Sequence, residues 1–515
     1  MANQLIINSA KVKAHINRMI YGQFAEHLGN CIYGGVYVGE DSSIPNVRGI
    51  RSDVVDALRH IKVPVIRWPG GCFADEYHWQ NGIGPKKDRP SMINTHWGGV
   101  VENNHFGTHE FFDLCAQIGA EPYICGNVGS GTVREMSEWV EYMNSDALSP
   151  MTKLRAQNGH PDPFRLKYFG IGNENWNCGG RMRIEYYTDE MMRYNLYARD
   201  YGENKLYRIA AGPRNDNYKW TQHLMKYAAP FINAIGLHYY TRVGDKIETI
   251  RLSDYNEQYI SHPENSRFSA TEFNEDEWFG IMKAAWKQEE LINKHTAIMD
   301  FYDPEHHVDL IIDEWGTWFN EEPGTPAGFL YQQNTMRDAI SAATSLNIFN
   351  NHADRIHMTN IAQMVNVLQS MVLTKEDAMI LTPTYHIFDM YKVHQDAELL
   401  DSALLCEDYA GLKETIPQLN ASVSRNPINA NVQITLANID PNKSASLTVH
   451  IPDFAPFTVA AATILQTQYM NDHNTFENPD KVKPELFKDF IVEKDQLRLN
   501  VPARSVLLIV LKNGG

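Results

Sequence analysis

The chain has 515 residues, 43% hydrophobic and 21% charged, enough to bury a large core without disulfide staples. Its formal net charge of −17 argues against nucleic acid and anionic membrane as partners, since both are gripped by basic patches. The six cysteines (Cys31, Cys72, Cys115, Cys125, Cys178, Cys406) form no CxxC pair, the N-terminus shows no basic-then-apolar signal, and no apolar run reaches the ~18 residues that span a bilayer, so a cytoplasmic protein with reduced thiols is expected.

The first residues, Gln4 to Val12, read as a strand. Short apolar runs then recur at Ile20–Glu26, Val65–Pro69, Pro122–Asn127, Tyr168–Asn173, Tyr207–Gly212, Ala234–Tyr239, Val308–Glu314 and Arg355–Asn360. Amphipathic stretches lie between them. One places Phe111, Leu114, Cys115 and Ile118 on a single helical face, with Thr108 as the expected cap and Gly119 as terminator; another places Val133, Met136, Val140 and Met143. Eight strand-then-helix units predict an α/β fold, a (β/α)8 TIM barrel over residues 18–394. From about residue 395 the period changes to two, as in Val432-Gln433-Ile434-Thr435-Leu436 and Gln496-Leu497-Arg498-Leu499-Asn500-Val501. Residues 395–515 are therefore expected to form an antiparallel β-sandwich, jelly-roll-like, joined by the N-terminal strand in residues 1–17.

Barrel enzymes carry their chemistry at the C-terminal ends of the strands. There the sequence places Glu26, Arg67 through Phe73, Asn127, Asn173 and Glu174, His238 and Tyr240, Glu314 and Trp318, and then Asn360 and Gln363. A single glutamate at a strand end is more often a loop charge than a catalyst. Three glutamates converging on one mouth are different, because crowded like charges push one pKa up and so make a proton donor near neutral pH. Glu174 and Glu314 are the candidate pair for breaking a glycosidic bond. Gly126 to Thr132 has P-loop glycine spacing but no lysine after Gly131, and no HExxH motif occurs, so neither nucleotide nor metal chemistry is supported. No cofactor is expected.

Three motifs, Arg67-Trp68-Pro69-Gly70-Gly71, Gly172-Asn173-Glu174-Asn175 and Asp313-Glu314-Trp315, together with Tyr21 through His27, resemble the family 51 glycoside hydrolases, chiefly intracellular α-L-arabinofuranosidases. The resemblance covers the whole chain. It implies Glu174 as general acid/base and Glu314 as nucleophile of a retaining mechanism, with the two carboxyls about 5 Å apart. It also implies that Asn173 holds the sugar 2-hydroxyl, that Tyr240 hydrogen-bonds the nucleophile, and that Glu26, Cys72, Asn127, His238, Tyr240 and Gln363 line the furanose pocket. His96, Trp97 and Trp318 would border the entrance. Many members carry Asn where this chain has Cys72, and a thiol would make a weaker hydrogen bond to the sugar. The implied partner is a small carbohydrate, and the implied assembly a homo-hexamer. An endo-β-glucanase or β-xylosidase on the same scaffold, and a non-catalytic carbohydrate-binding protein, are the alternatives.

Overall fold

The computed structural model describes residues 3–242, 247–253, 256–261 and 268–514, with Ile247–Ser253 and Asn256–Ser261 described by backbone alone. Residues 1 and 2 of the expected N-terminal segment lie outside the described residues. Eight parallel strands close into a barrel: β1 (Gly22–Phe24), β2 (Val65–Trp68), β3 (Glu121–Gly126), β4 (Tyr168–Ile171), β5 (Tyr207–Arg214), β6 (Ala234–Thr241), β7 (Asp309–Thr317) and β8 (Ile356–Ala362), with β8 pairing back to β1. Each falls on one of the eight apolar runs. Parallel strands covered by helices are buried on both faces, so they lose alternation and read as continuous apolar stretches.

Met19, Val65, Tyr123, Cys125, Tyr168, Ile209, Ala234, Ile311 and Met358 form a cluster drawn from all around the barrel. Such lumen layers make a barrel core solid, and charged side chains gather at the upper strand ends. The helix Thr108–Ile118 ends at Gly119, whose φ of 86° suits a left-handed cap. Its N-terminus differs from expectation. Gly107 is the cap, and its N–H donates to Glu110 Oε2 at 3.0 Å. Thr108 lies inside the first turn, where its hydroxyl instead accepts from Trp139 Nε1.

Nine C-terminal strands and the N-terminal strand Asn3–His15 build one ten-stranded sheet, with Asp408–Gly411 and Glu414–Pro417 pairing apart as a hairpin. The N-terminal strand pairs antiparallel with Glu398–Leu405 and parallel with Ala445–His450, the exception in a mostly antiparallel sheet. Leu5, Ile7, Leu400, Val423, Ile434, Leu447, Leu499 and Ile509 share a second core. The helix Met336–Asn351, almost wholly buried, lies between barrel and sheet. There Asn347 Oδ1 accepts from Thr435 Oγ1 at 2.7 Å, and Trp278 Nε1 donates to the Ile439 carbonyl at 2.8 Å.

Candidate active site

Glu174 follows β4 with φ of 40°, a left-handed backbone that non-glycine residues adopt mainly where surroundings enforce it. Glu314 lies inside β7 and is 7% exposed. A carboxylate oxygen of each and a ring nitrogen of His238 all lie within 4.8 Å of one another. His238, near the end of β6, places Nδ1 3.0 Å from Glu174 Oε1 and 3.3 Å from Glu314 Oε2, and Nε2 3.4 Å from Asp313 Oδ1. Tyr240 donates its hydroxyl to Glu314 Oε1 at 2.7 Å. Arg67, buried in β2, donates to Glu314 Oε2 at 3.2 Å and to Asn173 Oδ1 at 2.5 Å. A charge in the middle of an apolar strand needs such partners, and that was the available signal for Arg67 and Asp313 as site residues.

Burial alone would lower the His238 pKa, but Glu314, Asp313 and Glu174 raise it to about 10. Burial likewise opposes ionisation of Glu174, yet the hydrogen bond and charge of His238, with Arg214 and Arg67, hold its carboxyl below the ordinary range. Glu26 does rise, pushed to about 7 by burial and by Glu314, and burial likewise pushes the nearby Asp75 to about 7. Burial, with Glu314 behind it, thus raises a neighbour of the pair, while Glu174 stays low because the His238 imidazolium lies against it.

Glu26 accepts from the Phe73 N–H (3.1 Å), Trp97 Nε1 (3.0 Å) and Gln363 Nε2 (2.9 Å). A Cβ on Gly71 would come 2.5 Å from Glu26 Oε1, so the Gly70-Gly71 turn needs glycine to approach this carboxylate. Trp97 arrives on the long insertion between β2 and β3 and narrows the mouth. Beside these groups lies a cavity of about 200 Å³ lined by Glu26, Trp97, Glu174, Tyr240, Glu314 and Trp318, among others. The Arg242 guanidinium sits 3.9 Å over the Trp318 ring, which also meets Tyr240 edge-on. A larger cleft of about 440 Å³ around Arg208 and Phe231 lies at the starts of β5 and β6, away from these carboxylates.

Asn127 and His96 are placed elsewhere. The Asn127 amide is occupied by its own loop, donating to the Tyr77 carbonyl and Ser130 Oγ and accepting from the N–H groups of Ser130 and Gly131. His96 is exposed on the turn before Trp97 and does not line the cavity. The expectation of free thiols fails at two positions. Cys72 is bonded to Cys178, 106 residues away, because the loops after β2 and β4 meet over the cavity. Cys72 therefore has no S–H to offer a sugar. Asp75 also went unnoticed: its carboxylate accepts from the N–H groups of Val128, Gly129 and Asn173, tying the loops after β2, β3 and β4 together.

Comparison with known proteins gives the family. Residues 57–258 match the α-L-arabinofuranosidase 1 domain and residues 313–505 the α-L-arabinofuranosidase C-terminal domain. An intracellular exo-α-L-arabinofuranosidase from Bacteroides ovatus is 47% identical over 99% of this chain and 95% of its own. The crystal structure of a GH51 arabinofuranosidase from Xanthomonas axonopodis pv. citri superposes with a TM-score of 0.94 at 42% identity, covering 99% of this chain and 100% of the other. An α-L-arabinofuranosidase from Thermotoga maritima, solved with arabinose, gives 0.84 at 28% identity over 99% of each. A parallel barrel with paired glutamates at its mouth and this likeness define a glycoside hydrolase. The chain belongs to glycoside hydrolase family 51, alongside its arabinofuranosidases.

Proposed function

We propose that this enzyme is an exo-acting, retaining α-L-arabinofuranosidase that releases terminal non-reducing α-L-arabinofuranosyl residues from arabino-oligosaccharides or arabinoxylan fragments. The observation that carries the reading is that Glu174 and Glu314 each place a carboxylate oxygen within 4.8 Å of the other, which fits the close pairs of retaining enzymes better than the ~6.5–9.5 Å pairs of inverting ones. Glu314, oriented by Tyr240 and Arg67, attacks the anomeric carbon. Glu174 protonates the departing oxygen and then acts as base for the water that hydrolyses the glycosyl-enzyme. In the free enzyme the His238–Glu174 pair holds its proton on the imidazole, 3.0 Å from Glu174 Oε1, and Glu174 becomes the acid only when bound substrate, by screening Glu174 from His238, lets that proton cross.

The 200 Å³ cavity suits one sugar ring rather than a polymer, which favours exo action over an endo-glucanase. Glu26 and Gln363 present polar groups for the sugar hydroxyls. Asn173, its Oδ1 held by Arg67, stands behind the cavity wall and is read as the 2-hydroxyl partner by family resemblance. The bridged Cys72 forms part of the wall, and Trp97 and Trp318 border the entrance; Asn127 acts through its loop and His96 at the outer rim. The further reading is a cytoplasmic hexamer in hemicellulose and arabinan breakdown, with the chain dividing into residues 1–17, 18–394 and 395–515. Support for the location is the name of the B. ovatus relative, and no helix among the described residues is long and apolar enough to cross a membrane. Incubation with arabino-oligosaccharides tests the function: free arabinose released one unit at a time from the non-reducing end supports it, and internal cleavage to oligomers overturns it.

A further inference from the structure

The disulfide Cys72–Cys178 sits against the side chain read here as the general acid/base. Cys178 follows Glu174 by four residues, and its Sγ lies 3.8 Å from Glu174 Oε2. The sulfurs of Cys72 and Cys178 and a Glu174 oxygen all lie within 4.8 Å of one another, and all three residues are partly exposed; Cys72 and Glu174 line the cavity. A small molecule that enters the cavity thus reaches both a reducible bond and a carboxylate.

We propose that opening this disulfide turns the cavity mouth into a zinc site made of the Cys72 and Cys178 thiolates and the Glu174 carboxylate, and that zinc bound there shuts the enzyme. Tetrahedral zinc with Zn–S of about 2.3 Å and Zn–O of about 2.0–2.2 Å needs donor atoms about 3.5–3.8 Å apart. The contact between the Cys178 sulfur and Glu174 Oε2, at 3.8 Å, already has that spacing, Cys72 Sγ lies within 4.8 Å of both atoms, and the two sulfurs must draw apart to reach it. Two thiolates and a carboxylate are a soft-to-borderline donor set that favours zinc over calcium or magnesium. The fourth position faces the cavity and is left to water.

The two loops do not depend on the disulfide to stay together. Asp75, three residues after Cys72, accepts from the Asn173 N–H. The Gly179 carbonyl accepts from Asn175 Nδ2 at 2.7 Å, and the Gly179 N–H donates to the Glu174 carbonyl at 3.2 Å. Gly179 is also packed so closely on Asp75 that an added Cβ would lie 2.5 Å from its Oδ2. After reduction the sulfurs therefore still face each other. The chemistry balances: a dithiol reductant gives two electrons and two protons to the S–S bond and becomes a cyclic disulfide, and Zn²⁺ then displaces both thiol protons. Arg67, Arg214 and His238 oppose a cation at Glu174, so the site forms only when the thiolates supply the compensating charge.

Inhibition rests on Glu174 acting as acid/base, whereas zinc uptake does not, and the two are measured separately. The full-length protein is divided into an air-oxidised and a dithiol-reduced sample, reductant is removed anaerobically, and Zn²⁺ is titrated in competition with a chromophoric chelator while arabinofuranoside hydrolysis is followed in parallel. Reduced protein is expected to take up about one more equivalent of Zn²⁺ than oxidised protein, with activity lost in step and restored by EDTA. Reduced Cys178→Ser is expected to take up no additional zinc. Equal uptake by both samples, or unchanged uptake by Cys178→Ser, overturns the proposal, as does full activity of the zinc-loaded reduced enzyme, which would exclude Glu174 as a ligand. If no sample hydrolyses arabinofuranosides, the functional reading fails while zinc uptake still decides the site.

Discussion

His238 Nδ1 lies 3.0 Å from Glu174 Oε1. That contact places an imidazolium between the candidate acid and the carboxylates of Asp313 and Glu314, and it sets which groups are charged when substrate arrives. With a folded pKa of about 10, against the ~6.5 of an unfolded histidine, the bound proton favours the folded state. This stability is fully present below the unfolded pKa and is lost as pH rises through the folded one. The melting temperature of wild type should therefore exceed that of His238→Gln at pH 6, with the gap narrowing towards pH 10. A gap that stays constant or widens with pH contradicts the assignment of charge.

Tyr240→Phe removes the 2.7 Å hydrogen bond to Glu314 Oε1 while keeping the ring against Trp318. If the bond, worth about 1.5–3 kcal/mol to a charged group, is needed in the transition state, kcat should fall about ten- to a hundredfold, with the melting temperature falling by no more than a few degrees. Steady-state kinetics beside a thermal melt separate this from a folding defect.

Asp75→Asn leaves one acceptor oxygen where the carboxylate serves three N–H groups through two. At least one buried donor loses its partner, at a cost of about 1–3 kcal/mol. The melting temperature should drop, and kcat should fall more than KM rises, because the loosened backbone is that of Asn173, next to Glu174. A fall in stability with kinetics intact would limit Asp75 to holding the fold.

Glu174→Ala should reduce turnover of substrates with poor leaving groups about 10²–10⁴-fold and spare activated aryl glycosides, since only the former need a proton. Glu314→Gly should abolish turnover, and added azide, small enough to enter from the vacated face, should give the β-configured glycosyl azide. Both are read by comparing a dinitrophenyl with a methyl arabinofuranoside and by NMR of the azide product. Equal losses on both substrates for Glu174→Ala would remove it as the acid.

The barrel was legible because its strands are apolar on both faces and separated by helical periods, so all eight runs appear as β1 to β8. The two glutamates were legible as charges at the ends of such runs. What one dimension does not carry is who meets whom. Cys72 and Cys178 are neighbours only because the loops after β2 and β4 converge, and the spacing of cysteines offers no hint of it. The parallel pairing of Asn3–His15 with Ala445–His450 is hidden for the same reason. Asn127 has the residue type of a sugar ligand, yet the N–H groups of its own loop claim its oxygen. The expected rise in acid pKa landed on Glu26, because the position of His238 between Glu174 and its neighbours is a property of three dimensions.

The central claim is that Glu174 and Glu314 act on opposite sides of one anomeric carbon through a covalent intermediate. The most direct measurement is cleavage of an aryl α-L-arabinofuranoside in the presence of methanol, followed by proton NMR of the first-formed products. Double displacement predicts methyl α-L-arabinofuranoside, with configuration retained. Initial products of β configuration, formed without any methyl glycoside of α configuration, would contradict the account.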